Sequence, residues 1–292
     1  MSLLKATEFC SIEISADGVA LVCLANSAKI TTCAFYPCQR NDEQLRQCLI
    51  DAVLRNNLEK AACSWVLHPS QYHLTLVDTP GVPQFEYKDA VRWQVKDVVS
   101  YPLEDVTVDV FYSDEFEKRL RKIYVIVAQS SFLQNIVNII QECDLQPTSI
   151  DIREFAIRNL VTNLALPNEP IGFFDITDDG CLLVIVQVDC IRFVRHIPAG
   201  FKKSETDNCD ELTAEIRRSF DYCTDELKQT IPAKFFMAPS SNNVDNIKQN
   251  LAEKLGKEIA VLDLQKIVSF ASPIDLETQA RCWVAIGGAL RK

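Results

Sequence analysis

The chain has 292 residues, 48% of them hydrophobic, and forty acidic against thirty basic side chains leave a net charge of −10. That balance repels nucleic-acid phosphates and anionic lipid headgroups at long range, so no nucleic-acid partner is expected. No apolar run reaches the ~18 residues of a membrane-spanning helix, and Met1 to Glu8 is too short and weakly apolar for a secretory leader, so a cytosolic chain without its own membrane span is expected.

In chain order, apolar spacing predicts hairpin strands over Cys10 to Leu24 and Ile30 to Tyr36, a polar-faced helix near Asp42 to Asn56, and a strand around Ser64 to Leu67. Val77-Asp-Thr-Pro-Gly-Val-Pro83 marks a boundary, because its prolines and glycine cannot continue a regular element. A helix with Ala90, Trp93 and an apolar stripe of Val91, Val95 and Val98 follows and must end before Pro102. Val106 to Tyr112 alternates like a half-buried strand, and Ile123 to Ala128 reads as a buried one. Ser130 or Ser131 is expected to cap a helix whose Phe132, Leu133, Ile136, Val137, Ile139 and Ile140 have core-facing spacing. Residues from about Gly81 to Gln146 are thus expected to form a small α+β insert. Asp151-x-x-Glu154 has the pattern of a capping box and predicts a helix from there through Leu160 to Leu166, stopped by Pro167. After Pro198 come a polar loop, Lys202 to Asp210, and a long helix stacking Leu212, Ile216 and Phe220. Short strands at Lys234 to Ala238 and Ile259 to Leu262 flank a helix near Val244 to Leu255.

The two halves repeat. Glu13-Ile-Ser-Ala-Asp-Gly-Val-Ala-Leu-Val-Cys-Leu24 returns as Asp175-Ile-Thr-Asp-Asp-Gly-Cys-Leu-Leu-Val-Ile-Val186. After a one-residue gap, Ile30 to Pro37 matches Ile191 to Pro198. A period this long means two related domains, each of β-β-β-α-β-α order with its own core. The expected division is 1–167, with the insert at about 81–146, and 168–292, whose last helix packs back toward the first domain.

Twelve cysteines occur with no Cys-x-x-Cys pair, so they are read as small apolar residues rather than a disulfide framework. His68, His73 and His196 have no second ligand at helical or finger spacing, so no metal site is expected. Lys118-Arg-Leu-Arg-Lys122 is the one basic patch; lacking interleaved aromatics, it reads as a solvated strand entrance before a phosphate or lipid contact.

A doubled unit with an insert in its first copy resembles the actin-like, ribonuclease-H-like α/β fold shared by actin, sugar kinases and the division protein FtsA. Ala90-Val-Arg-Trp93 followed by Tyr101-Pro-Leu-Glu-Asp-Val-Thr-Val-Asp109 resembles the signature of PilM-type pilus-assembly proteins and, more closely, the MshI type of the mannose-sensitive haemagglutinin (MSHA) pilus system. Asp151 to Leu160, Arg218 to Tyr222 and Ala285 to Arg291 are also similar to MshI-type segments. The resemblance covers nearly the whole chain. It implies a cytoplasmic scaffold that grips the short cytoplasmic tail of a PilN-type inner-membrane protein. A groove between the first domain and the insert would accept that tail, with Trp93, Tyr101, Pro102 and Leu103 as candidate contacts. Trp93 serves equally well as an anchor of the insert's own core.

Relatives of that fold hold phosphates between two strand-turn-strand loops, the first reading Asp-Ile-Gly. Here the loops read Glu13-Ile-Ser15 and Asp175-Ile-Thr177, so the residues that would let backbone N–H groups close on phosphate carry a Cβ. Asp178 and Asp179 add negative charge, repulsive to a polyphosphate by about 1 kcal/mol at roughly 4 Å even in water. Asp17-Gly18 and Asp179-Gly180 read more simply as tight hairpin turns. Gly287 and Gly288 match the adenosine-side glycine pair of relatives, or let a helix pack against a strand. No acidic residue is placed by spacing to orient an attacking water, and no nucleophile motif is present. The expectation is a binding protein with a degenerate nucleotide site, no catalytic residue and no required cofactor. The alternative is an active ATPase or small-molecule kinase of the same fold, holding Mg-ATP.

Overall fold

Self-similarity in the sequence becomes two sheets of one strand order in the computed structural model, which describes residues 9–25, 29–38, 41–112, 122–164, 169–178, 180–200, 208–240 and 244–291. In the first half β1 (Phe9–Ile14), β2 (Gly18–Leu24) and β3 (Lys29–Pro37) form an antiparallel meander. Helix α1 (Asp42–Arg55), capped by the Asn41 side chain on the Gln44 amide, leads to β4 (Ala62–Leu67), which pairs parallel with β1.

The chain then leaves this sheet. β5 (His73–Asp78), α2 (Tyr87–Gln94), β6 (Val106–Phe111) and β7 (Lys122–Gln129) build a separate three-stranded sheet of order β5-β7-β6. Its core is Val91, Val95, Val106, Ile123, Val125 and Val127. It returns through α3 (Ser130–Glu142), β8 (Gln146–Ile152), parallel to β4, and α4 (Arg153–Thr162).

The second half repeats the plan with β9 (Ile171–Ile176), β10 (Cys181–Gln187), β11 (Cys190–Ile197), α5 (Asn208–Asp225), β12 (Lys234–Met237), α6 (Val244–Leu255) and β13 (Glu258–Val261). A two-residue strand, β14 (Ser269–Phe270), and α7 (Leu276–Ala289) finish the chain. The sheets run β14-β3-β2-β1-β4-β8 and β11-β10-β9-β12-β13. Each unit is therefore β-β-β-α-β-α-β-α, one strand and one helix longer than the sequence pattern suggests.

The duplication extends to an irregularity. Thr31 is skipped between the pairs Cys23↔Thr32 and Leu24↔Ile30, and Arg192 between Ile185↔Phe193 and Val186↔Ile191. The same β-bulge thus kinks both meanders at equivalent positions, just after the connection in which the aligned sequences differ by one residue. The hairpin turns also agree. Ser15 N donates to Gly18 O at 3.0 Å and Thr177 N to Gly180 O at 2.8 Å, and each hydroxyl donates to the same carbonyl. Gly18 is not in the left-handed region that a two-residue Asp-Gly turn would require. It is glycine because a Cβ would lie 2.6 Å from the Phe35 ring.

Several local expectations are corrected. The insert does not span 81–146: its sheet begins at His73, and α3 leaves it, burying Ile136, Ile139 and Ile140 in the first domain's core. Neither Ser130 nor Ser131 caps α3. The N-cap is Gln129, and the Asp105 carboxylate accepts from the Ser131 amide at 2.7 Å, Ser131 Oγ at 2.8 Å and Gln129 Nε2 at 2.7 Å. Those bonds hold Asp105 below the ordinary carboxylate range. Asp105→Ala should speed hydrogen exchange in the first turn of α3 while the last turn is unaffected; uniform protection along the helix would refute the cap. Asp151 and Glu154 form no capping box either, since Ile152 is the N-cap and no side chain caps α4. That helix ends at Thr162; Pro167 lies outside the described residues, as do Lys118 to Arg121 of the basic cluster and Asp179.

Nor does each half keep its core to itself. The outer faces do: α1 and α3 cover the first sheet, α5 and α6 the second. The inner faces share one cluster in which Ala20 and Val22 of β2, Leu182 and Val184 of β10, Ala156 and Leu160 of α4, and Trp283 and Ile286 of α7 pack together. The last helices cross over. α7 lies on β1 to β4, while α4 contacts β9, β10 and β11 as well as β8. Strands β2 and β10 are consequently apolar on both faces. The cysteines fit this packing: most of those described are buried, and burial pushes the Cys143 thiol up to about 11 and Cys223 up to about 12.

Candidate functional site

The carboxyl ends of β1 and β9 bring Glu13 and Asp175, equivalent residues of the repeat, to either side of the start of α4. Arg153 is the first residue of that helix, and its guanidinium spans them. Nη1 donates to Asp175 Oδ2 at 2.7 Å and Nη2 to Glu13 Oε1 at 3.2 Å. The three side chains are 9%, 4% and 12% exposed for Asp175, Glu13 and Arg153. Burial works against the charge on Arg153, but Asp175 and Glu13 outweigh it and hold its pKa above the ordinary value. Burial also pushes the Glu13 carboxyl up, with Arg153 opposing. The indole of Trp283 lies beside the guanidinium, 5.5 Å from its carbon to the ring centroid.

A second polar network adjoins the first. Glu154, fully buried, accepts from the Tyr72 hydroxyl at 2.5 Å and meets His196 Nε2 at 2.8 Å. Burial, then the neighbouring carboxylate, push the Tyr72 hydroxyl well above its usual pKa. Tyr72 stands at the root of the insert and His196 on β11, so Glu154 ties α4 to both. Tyr124 of the insert reinforces the tie by accepting from the Val194 amide at 2.9 Å, and Phe111 packs edge-on against Phe155 of α4 at 4.9 Å.

No protein-family profile and no curated protein matches the chain. Solved structures do. A PilM–PilN type IV pilus biogenesis complex is similar over 98% of this chain and 98% of its own, with a TM-score of 0.76 at 18% identity. A Bacteroides thetaiotaomicron protein with an actin-like ATPase fold is similar over 92% of this chain and 95% of its own, with a TM-score of 0.54 at 7% identity. The chain has the actin-like fold. The cytoplasmic domain of EpsL, an inner membrane component of the type II secretion system of Vibrio cholerae, shares the fold over 94% of this chain and 92% of its own, with a TM-score of 0.54 at 9% identity.

In this actin-like chain the residues proposed for nucleotide loops are engaged within the protein. Ser15 Oγ donates to Asp17 Oδ1 at 2.8 Å, and Asp17 also pairs with Arg281 of α7; burial raises the Asp17 pKa, but Ser15 and Arg281 outweigh it and hold the carboxyl low. Thr177 and Asp178 are exposed at the second hairpin. Gly287 and Gly288 sit inside the helix packing: a Cβ on Gly287 would lie 2.8 Å from the Ala156 carbonyl carbon, and one on Gly288 2.5 Å from Val66 Cγ2. Asn159 Nδ2 donates to Gly287 O at 2.9 Å, and Arg291 reaches buried Asp151 at 3.2 Å. Burial pushes the Asp151 carboxyl up against that pairing. The segments Asp151 to Leu160 and Ala285 to Arg291 are thus each other's packing partners.

The groove candidates separate. Tyr101 and Leu103 are half-buried against the insert core, and Pro102 is exposed. Trp93 does not anchor the insert; it is 72% exposed, near Phe85 in sequence at 82%. Its neighbour Arg92 does the anchoring, donating through Nη2 to Leu103 O at 2.9 Å and Val106 O at 2.8 Å. Among the described residues no cluster of potential metal ligands occurs, and no helix is long and apolar enough to cross a membrane. Arg153, Glu154, Tyr72 and His196 escaped sequence reasoning. The one available signal was the Asp151 to Leu160 segment, read for local capping.

Proposed function

We propose that the chain is a cytoplasmic scaffold of a type IV pilus assembly platform of the MSHA kind, or of a related secretion platform, recruited to the inner membrane by gripping the cytoplasmic tail of a PilN-type protein. The observation that carries this reading is similarity along the full length, insert included, to a protein solved in a PilM–PilN complex. Exposed Trp93 and Phe85 on the insert supply the kind of large, rigid contacts that dominate binding energy. The seam between the two sheets supports the same reading, because Glu13 and Asp175 are already paired with Arg153, and the space beside Gly287 and Gly288 is filled by α4, Ser11 and Val66.

Titration with a synthetic tail peptide of the PilN-type partner tests it. Binding is expected for the wild type, and Trp93→Ala should weaken it by roughly 30-fold or more with an unchanged circular dichroism spectrum, the loss typical of an interface hot spot. Unchanged binding removes Trp93 from the site. Calorimetry with Mg-ATP should show no heat of binding; micromolar affinity lost in Asp175→Asn would favour the ATPase reading instead.

A further inference from the structure

Arg153 stands where the two halves face each other, and its partners come from both. Glu13 belongs to the first sheet and Asp175 to the second, at equivalent points of the repeat, and neither carboxylate is solvated. Bringing two carboxylates together out of water is unfavourable unless a cation lies between them. Here the cation is covalently part of the chain. We propose that Arg153 is an internal ligand between the two halves, a tethered guanidinium that holds them at a fixed angle without any dissociable cation or nucleotide.

The geometry supports this in three respects. The guanidinium uses separate nitrogens for the two lobes, so neither carboxylate can leave without stranding a buried charge. Trp283, on the helix that returns from the second half to the first sheet, packs against it and limits its motion. The hydroxyls of Ser15 and Thr177, which flank the carboxylates on the hairpins, bond within their own turns and, among the described residues, leave Glu13 and Asp175 with Arg153 as their side-chain partner.

The test uses the full chain and reads melting temperature and radius of gyration, neither of which depends on the pilus reading. Arg153→Ala should lower the melting temperature by roughly 10 °C and enlarge the radius of gyration, because two facing carboxylates are left unpaired. Millimolar Mn2+, a hard cation suited to oxygen ligands, should restore part of both in that variant and change neither in the wild type. The triple variant Arg153→Ala/Glu13→Gln/Asp175→Asn should recover much of the loss without metal and be indifferent to Mn2+. A melting temperature for Arg153→Ala within about 1 °C of wild type, or a loss that neither Mn2+ nor the triple variant relieves, overturns the proposal. If Arg153→Ala does not fold, the triple variant decides: folding supports an internal cation, and failure to fold means that Arg153 acts only through packing.

Discussion

Gly287→Val should lower the melting temperature by roughly 5–10 °C, corresponding to about 2–3 kcal/mol of overpacking at the centre of the molecule. The Cβ would enter the backbone of α4 at Ala156, which cannot rotate away as a side chain would. Separating α4 from α7 would also stretch the Asn159–Gly287 bond and loosen the cluster that both sheets share. Gly288→Ala should cost less, since its obstacles are the Ser11 and Val66 side chains, and Gly81→Ala should cost nothing, because no atom lies within 4 Å of its added carbon. Thermal unfolding of the three variants gives the ranking. If Gly287 tolerates valine as readily as Gly81 tolerates alanine, helix contact does not explain the pair, and a ligand role regains weight.

The second large effect belongs to Glu154. Glu154→Ala should destabilise by about 3–5 kcal/mol, because it leaves a buried Tyr72 hydroxyl without its acceptor and opens a cavity in a fully packed layer. Glu154→Gln keeps an oxygen for Tyr72 and should lose less than half as much. The readout is denaturant unfolding, with hydrogen exchange showing faster opening of β5, which follows Tyr72 directly, and of β11, which carries His196. A Glu154→Ala midpoint equal to wild type would mean that the carboxylate holds nothing together.

The meanders, the hairpins and the helices with strong apolar stripes were legible in the sequence, because each is decided by residues a few positions apart. The bulge left no mark, because Thr31 and Arg192 occupy equivalent, ungapped positions of the repeat. What was not legible depended on distant partners. Asp151 and Glu154 have the spacing of a cap, yet their carboxylates serve Arg291 in one case and Tyr72 with His196 in the other. Asp105 caps a helix 26 positions along the chain, beyond any local pattern. Strand β14 is two residues long and exists because β3 offers it an edge, and β8 opens on Gln146-Pro147, which reads as a turn. Sequence alone left Trp93 open between a groove contact and a core anchor, and the buried faces of α2 and the segment after it are supplied by Val91 and Val95 instead. Arg153 had no signal of its own, since the acids it joins are separated by 162 positions in the repeat.

The crossed helices have a consequence for how the molecule comes apart. Because α7 is drawn from the second half yet lines the first sheet, and α4 reaches in the opposite sense, neither half can melt while the other keeps its inner face dry. Heat should therefore release both sheets in a single concerted transition, with the three-stranded insert, which has its own small nucleus of valines, as the unit free to loosen ahead of it.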